Sequence, residues 1–456
     1  MTKPLFKGFE AITTKQWKQK IQFELNGADY NDTLVWKSPE GILVKPFYTS
    51  EDAPTTAGVP KEGAWKIGQH IYAGSASAAN KKALDALERG AESLVFTIPS
   101  EEIQVEKLLE GLSLSTVEIH FYLPFSSIDF VKNLDDFLQK QPEKNCFLHD
   151  DPISNLTKTG NWFKNKEQDF SYAKQTAHLR AFNNVYFVDA STYQNAGATI
   201  TQQLAYALAH AHEYLALTES PSAKKILFKI AIGGNYFLEI AKIRALRLLW
   251  ATLAPEYGFA ADCQVLAVPT KRNKTLYDYN VNMLRTTSEC MSAILGGADT
   301  ICNLPYDAIY HKDNEFGERI ARNQLLILKH ESYFDAVENP ADGAYYVEAL
   351  THQLAENALE IFKQVEAGGG FVNQLKEHTI QRKIKESSKA EQTQFDAKKQ
   401  VLVGTNKYPN AADKMKDNLQ LYPFVKTKPI KTIIEPIIEK RIAESAEEER
   451  LQIEKK

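Results

Sequence analysis

The residues best able to do chemistry are ten histidines, four cysteines and a few short polar runs. His149-Asp150-Asp151 joins an imidazole to two carboxylates, the donor types of a metal centre. Adjacent strand residues point to opposite faces, so the three converge only where the chain turns, and Pro152 supplies such a turn. No second ligand cluster stands at a characteristic spacing, and a polar loop is the simpler reading. His210 and His212 lie two apart on a helical stretch and face different ways; His212 reads as a surface residue. AGGGF at 367–371 is glycine-rich, but it follows a helix and lacks the Lys-Ser/Thr of a phosphate loop, so it reads as a C-cap and turn. There is no GxSxG elbow and no evident Ser-His-Asp set. Cys146, Cys263, Cys290 and Cys302 are scattered and form no CxxC pair, which fits a reducing cytoplasm.

From Trp65 onward, short β-rich runs alternate with longer helical stretches. Eight runs stand out, at 65–73, 93–99, 116–124, 145–151, 184–190, 225–232, 263–269 and 300–305. Among the intervening helices, one sets Ile200, Leu204, Leu208, Ala211 and Leu215 on a single face. Another sets Phe237, Ile240, Ala241, Ala245 and Leu248 together. Strand-then-helix repeated along a chain means parallel strands with helical crossovers. Eight such units fit an α/β fold of the closed (β/α)8 TIM-barrel type; the alternative is an open doubly wound sheet with a miscounted strand. In a barrel, chemistry belongs at the C-terminal strand ends. Those ends offer His70 and Tyr72, then His149 to Asp151, then Asp189, Ser191 and Thr192. Further round lie Gly233, Gly234 and Asn235, then Thr270, Lys271 and Arg272, and last Tyr306 and Asp307.

The barrel is expected over 61–370. Residues 1–60 read as an arm, with one helix from Thr14 to Leu25 capped by Thr13 or Thr14 and carrying Trp17, Ile21 and Leu25 on one face. Beyond it, Trp36, Val44, Phe47 and Tyr48 have little local core, as in a segment laid over its own body or a partner. Residues 371–456 read as a helical extension whose charge-dense end is a solvated, frayed tail.

The chain has 456 residues, enough for a full core, with 43% hydrophobic and 25% charged residues. Disordered, collagenous and coiled-coil classes are therefore excluded for the whole chain. Lys+Arg 54 against Asp+Glu 58 gives a net charge of -4, which argues against nucleic-acid or membrane partners. No apolar run approaches the roughly 20 residues of a membrane span, and the N-terminus lacks the apolar region of a signal peptide.

Several segments carry a resemblance. NVNMLRTTSECMSAILGGADTI (280–301), GERIARNQLLILKHES (317–332) and ENPADGAYYVEALTHQLAENALEIFKQVEAGGGF (338–371) resemble the catalytic barrel of methylmalonyl-CoA mutases. So do 196–215 and 232–250, the arm at 26–49 and VGTNKY at 403–408. The likeness runs from about residue 8 to about residue 440, and the overall pattern is most similar to the small, non-catalytic subunit of the heterodimeric bacterial enzyme.

The resemblance implies a barrel threaded by coenzyme A, adenosylcobalamin radical chemistry and a large catalytic subunit as partner. A GTPase reactivase, which serves some family enzymes, is a further partner it admits. It implies that the partner holds the cobalamin, because none of the ten histidines has Asp two residues before it, and the chain stops where the cobalamin-binding domain would begin. Thr192 stands where the family's Gly-Tyr-His-x-Gln-Glu-Ala-Gly stretch has its histidine; a hydroxyl cannot become cationic or act as an acid near pH 7. The Thr-Ile-Gln-Asn-Asp segment and its carboxylate-binding arginine have no counterpart. The arginine and serine of Pro-Arg-Leu-Ser fall on Lys225 and Leu227, and Lys lacks the guanidinium fork. The tyrosine of Arg-Gln-Tyr-Ala-Gly falls on His70 or, after an insertion, on Tyr72. The resemblance thus implies no catalytic residue, and at most a vestigial substrate pocket at His70, Tyr72, Gln194 and Lys225. A structural subunit is the leading expectation. The alternatives are a catalytic barrel served by a separate cobalamin-binding chain, and a coenzyme-A-binding protein of unrelated role in which Lys225, Lys271 and Arg272 meet phosphates or are solvated cations.

Overall fold

A computed structural model describes residues 7–52, 58–218, 224–426 and 430–454. All eight expected runs become strands: β1 Lys66–Tyr72, β2 Ser93–Thr97, β3 Glu118–Tyr122 and β4 Cys146–His149. The second half gives β5 Asn184–Asp189, β6 Lys225–Ile232, β7 Cys263–Pro269 and β8 Thr300–Cys302. They pair in parallel in the order β4-β3-β2-β1-β8-β7-β6-β5. The two ends meet through side chains. Asn184 accepts from the Leu148 N–H at 2.9 Å and donates to the Leu148 carbonyl at 2.7 Å, and the Asn183 N–H donates to the Cys146 carbonyl at 2.8 Å. This is a nearly closed (β/α)8 barrel, and the open-sheet alternative falls because the outermost strands touch.

Helices follow the strands and bury one face on the barrel. The helix Ile200–Leu215 buries all five expected residues. On the helix Tyr236–Leu253, Ile240, Ala241 and Ala245 are buried, but Phe237 is exposed. It sits in the first turn and meets Tyr346 at the surface rather than the core, with centroids 5.4 Å apart. The long helix Tyr345–Ala367 packs across both, and Gly369 and Gly370, both at positive φ, turn the chain after it as expected.

The arm has two parts. Thr13 caps the helix Thr14–Glu24 through a capping box with Gln16, and no residue of that helix is buried. A short hairpin pairs Trp36–Lys37 with Leu43–Val44. At its turn Ile42 is buried, and Glu40 accepts from the Thr201 N–H at 2.9 Å, placing a carboxylate at the N-terminus of the helix Ile200–Leu215. The hairpin lies on its own body, while the helix Thr14–Glu24 rests on the arm itself, Trp17 meeting Phe47 edge-on with centroids 6.4 Å apart.

The C-terminal region departs from expectation. Helices Phe371–Lys376 and Thr379–Asp396 form, but the described residues 398–443 contain none. The frayed-tail reading is corrected. Pro436 blocks a helix, and the chain instead runs extended along the barrel rim with Ile434, Ile437 and Ile442 buried. The Ile434 and Ile437 N–H groups donate to the carbonyls of Gly160 and Thr157, and that of Ile442 to Arg272. Arg272, weighed as a solvated cation, is instead a buried clamp: it donates to Glu391, to Ser388 and to the Lys440 carbonyl. The final helix, Glu444–Glu454, buries Glu447 and Leu451.

Gly160 fixes where this strap docks. It ends the helix Pro152–Thr159 at φ 77°, and a Cβ there would lie 2.5 Å from the Ile434 carbonyl oxygen and 2.7 Å from Thr432. Gly160→Ala is expected to cost about 1–3 kcal/mol and to speed proteolysis within 430–443. Unchanged melting and cleavage would mean the strap is not held there.

Candidate functional site

Residues in register on neighbouring parallel strands share a face, so the ladders give the lining of the lumen. Near the N-terminal end, Lys66, Ser93 and Thr300 gather round Glu118, which is 2% exposed. Lys66 donates to it at 3.0 Å, Ser93 at 3.2 Å, and the Thr300 hydroxyl also donates. His120 Nε2 meets the same carboxylate at 2.7 Å, and its Nδ1 meets His149 Nε2 at 2.7 Å.

Across the middle, Val95, Phe147, Phe187, Leu227, Leu266 and Cys302 form one buried apolar cluster. The His120 ring stacks on Phe147 with centroids 4.8 Å apart, and the His149 ring on Phe187 at 4.2 Å. The lumen is thus packed with side chains, with a polar Glu-His-His column embedded in the packing.

The C-terminal mouth holds Tyr72, Thr97, Tyr122 and His149 in one register. Asp189 and Lys229 pair across β5 and β6. Asp189 Oδ2 accepts from Lys158 at 2.6 Å and from Lys229 at 3.2 Å, and Oδ1 accepts from the Ser191 hydroxyl. Burial disfavours both charges, but each outweighs it for the other: Asp189 lies below the usual carboxylate range and Lys158 above the usual amine range.

His149 ends β4, and Asp150 and Asp151 form the polar connection to the helix Pro152–Thr159, buried rather than solvated. His149 points into the lumen, and Asp151 caps the helix Pro152–Thr159 by accepting from the Ser154 N–H at 2.8 Å. Asp151 also takes His210 at 2.9 Å, the Tyr214 hydroxyl at 2.7 Å and the Asp189 N–H at 2.9 Å. Tyr193 completes this buried network on His210 Nδ1 at 2.9 Å. Burial pushes Asp150 up to about 6. Among the described residues no group of three or more potential ligands is arranged to hold a metal ion. His212 is half-buried between Glu366 and Tyr257.

The expected site residues are not brought together. His70 faces the lumen, bonded to Thr97 at 2.8 Å and open to solvent on one side, and Tyr72 lies beside it at the mouth. Gln194 sits behind the wall, tied to Glu239 and Lys242. Lys225 begins β6 at the opposite end and pairs with Asp262. Thr192 is fully buried, and its hydroxyl has no hydrogen-bond partner among the described residues. Sequence reading missed Lys158, Lys229 and the Glu118-His120 column. Lys229 inside KILFKIAI was the available signal, because a lysine in an apolar strand demands a buried partner. Glu118 and His120, two apart in TVEIHFYLP, share a face by the same strand logic.

The family model described as methylmalonyl-CoA mutase matches residues 144–455. A methylmalonyl-CoA mutase small subunit from Porphyromonas gingivalis is 35% identical over 455 residues, covering 91% of this chain and 73% of that protein. The chain belongs to the methylmalonyl-CoA mutase family. Family small subunits from Streptomyces virginiae and Propionibacterium freudenreichii subsp. shermanii are each 29% identical. They cover 88% of this chain, and 71% and 69% of their own lengths. The likeness to small subunits read from the sequence therefore holds.

The column also sets a pH response. Burial, with His120 and Lys229 adding to it, holds His149 well below the ordinary imidazole range. The unfolded chain then binds the extra proton first, so stability falls as pH drops below about 6.5, by about 1.4 kcal/mol per pH unit at most. Burial alone would raise Glu118, but His120, Lys66 and Thr300 outweigh it and hold it at about 2. Its contribution is present above about 4.5 and is lost as pH falls toward 2. Melting temperature measured from pH 8 to pH 5 should fall below pH 6.5, and His149→Phe should flatten that fall. A flat wild-type profile would contradict the assignment.

Proposed function

We propose that this chain is the structural small subunit of an adenosylcobalamin-dependent methylmalonyl-CoA mutase in the cytoplasm. It pairs with a large subunit that binds the cobalamin and carries out the rearrangement, while this chain alone turns over nothing. The observation that carries this reading is the filled lumen. Coenzyme A reaching the reacting centre through the barrel would need the space now taken by Phe147, Phe187, Leu227 and Leu266. The hydroxyl at Thr192 adds to it, being sealed from solvent and unable to act as an imidazole.

The residues present do not fit a cobalamin. His120, His149 and His210 are fully buried and hydrogen-bonded. At the mouth, His70 is bonded to Thr97, and His311 to Asp307 and Asn418. Each of these imidazoles is already engaged by a protein partner.

The arm supports the pairing. Phe9, Ile12, Trp17 and Phe23 are each more than half exposed on a segment with no buried helix face. An apolar surface of this kind marks a protein interface. Trp17→Ser with Phe23→Ser is expected to weaken association with the large subunit by about tenfold or more, at unchanged barrel melting. Unchanged association would remove the arm from the interface.

A further inference from the structure

We propose that Asn26-Gly27, which closes the arm helix, is a self-modifying site: it converts without an enzyme to aspartate and isoaspartate, and the product releases the end of that helix. The sequence holds one Asn-Gly pair, and it stands here. The helix Thr14–Glu24 ends at Leu25, whose N–H donates to the Ile21 carbonyl at 3.0 Å. Asn26 follows at φ 50°, the left-handed conformation that stops a helix, and its N–H donates to the Phe23 carbonyl at 3.3 Å. Asparagine is one of the few residues with a side chain that enters this region readily. Gly27 continues at φ 92°. The pair is therefore the cap of the arm helix.

The same pair is chemically open. Both residues are exposed, and nothing lies within 4 Å of the place a Gly27 Cβ would take. The Gly27 N–H and the Asn26 side-chain amide have no hydrogen-bond partner among the described residues. Base takes the Gly27 amide proton, and the nitrogen attacks the side-chain carbonyl carbon of Asn26. The new C–N bond closes a five-membered succinimide. The bond to the side-chain nitrogen breaks, and ammonia leaves with a proton. Water then opens the ring. Opening at the side-chain carbonyl gives aspartate. Opening at the main-chain carbonyl gives isoaspartate, whose backbone runs through the side chain and is one methylene longer. One water enters and one ammonia departs, with nothing oxidised or reduced.

A second pair supplies the contrast. Asp342-Gly343 is the one Asp-Gly pair, and it can close the same ring by loss of water. There the Asp342 carboxylate is held by Arg244, and the Gly343 N–H donates to Glu348 at 3.1 Å. Nucleophile and acceptor are both engaged, so that pair is locked while Asn26-Gly27 is free. Either product at Asn26 puts a carboxylate at the C-terminal end of the arm helix. The helix dipole disfavours negative charge there, and Glu24 already stands in the last turn, paired with Lys20. Isoaspartate adds a longer backbone that no longer fits the left-handed cap. The helix then frays from its last turn, which carries the exposed Phe23.

Ageing of the full chain at pH 6 and pH 8 tests this, read by peptide mapping with mass spectrometry and by methylation with an isoaspartyl methyltransferase. The peptide holding Asn26 should gain about 1 Da. The gain should be faster at pH 8, because the Gly27 amide must lose its proton. Its rate should lie within about threefold of that of the free peptide LNGAD, since the folded chain imposes no opening step. The Asp342-Gly343 peptide should stay unisomerised until the chain is unfolded in urea. Hydrogen exchange across residues 14–25 should quicken by about threefold or more in the aged chain. Asn26→Gly keeps the left-handed cap without an amide, and its exchange should not change on ageing. A folded chain that keeps Asn26 while the free peptide loses it overturns the site. An aged chain whose exchange across that helix matches the fresh one, or an Asn26→Gly chain whose exchange rises equally, overturns the release of the helix.

Discussion

Replacing Lys274 with methionine is expected to destabilise the fold by about 3–5 kcal/mol, because it strands a buried carboxylate. Lys274 lies on the loop after β7, and Glu289 on the helix Val281–Leu295; each side chain is 1% exposed. The ammonium contacts both Glu289 oxygens, at 2.9 and 2.7 Å, and Asn273 donates to the same carboxylate at 2.7 Å. The Lys274 carbonyl also accepts from Arg441, which ties the strap to this pair at 3.1 Å. Burial already raises Glu289 and lowers Lys274. Without the lysine, Glu289 must take up a proton to remain buried. A carboxyl whose folded pKa is raised binds more protons folded than unfolded, so the loss must grow as pH rises above about 4.5. Denaturant unfolding of wild type and Lys274→Met at pH 5 and pH 8 should show the larger deficit at pH 8. A deficit below about 1 kcal/mol, or one independent of pH, would mean the pair is solvated.

Phe187→Ala is expected to cost a further about 3–5 kcal/mol, as a large cavity in a layer that cannot collapse. Phe187 is fully buried, pairs in register with Leu227 and backs the His149 ring. Strands on every side fix the wall, so neighbours have little freedom to close the gap. The same truncation lets water reach His149, whose pKa should then rise toward the ordinary value and flatten the acid dependence of melting. A loss under about 1 kcal/mol would contradict a tightly packed lumen and reopen the question of coenzyme A access.

Much of this was legible in the residues. Strand runs between amphipathic helices carry the barrel, because a parallel sheet buried on both faces leaves continuous apolar stretches such as KILFKIAI. The arm helix was expected behind Thr13 or Thr14, and Thr13 is the one that caps it. What a strand pattern cannot give is which face turns inward to the lumen and which outward to the helices. For that reason the Glu118-His120-His149 column and the Lys158-Asp189-Lys229 trio emerge only from the register of the ladders. Gln194 and Lys225, joined to His70 by resemblance, part company because strand direction sends β6's first residue to the far end of the barrel. The strap was hidden for another reason. Its Glu, Lys and Arg residues look like a solvated run, and only the partners of Ile437, Arg441 and Glu447 show that it is docked.

The central claim is that this barrel supports catalysis without performing it. The direct test is mutase turnover with adenosylcobalamin and methylmalonyl-CoA, for this chain alone, with a full-length large subunit, and with a separate cobalamin-binding protein. The account predicts turnover only with the large subunit, at a rate unchanged by Thr192→Val in this chain. Turnover by this chain with the separate cobalamin-binding protein, in the absence of the large subunit, would contradict it and make this barrel the catalyst.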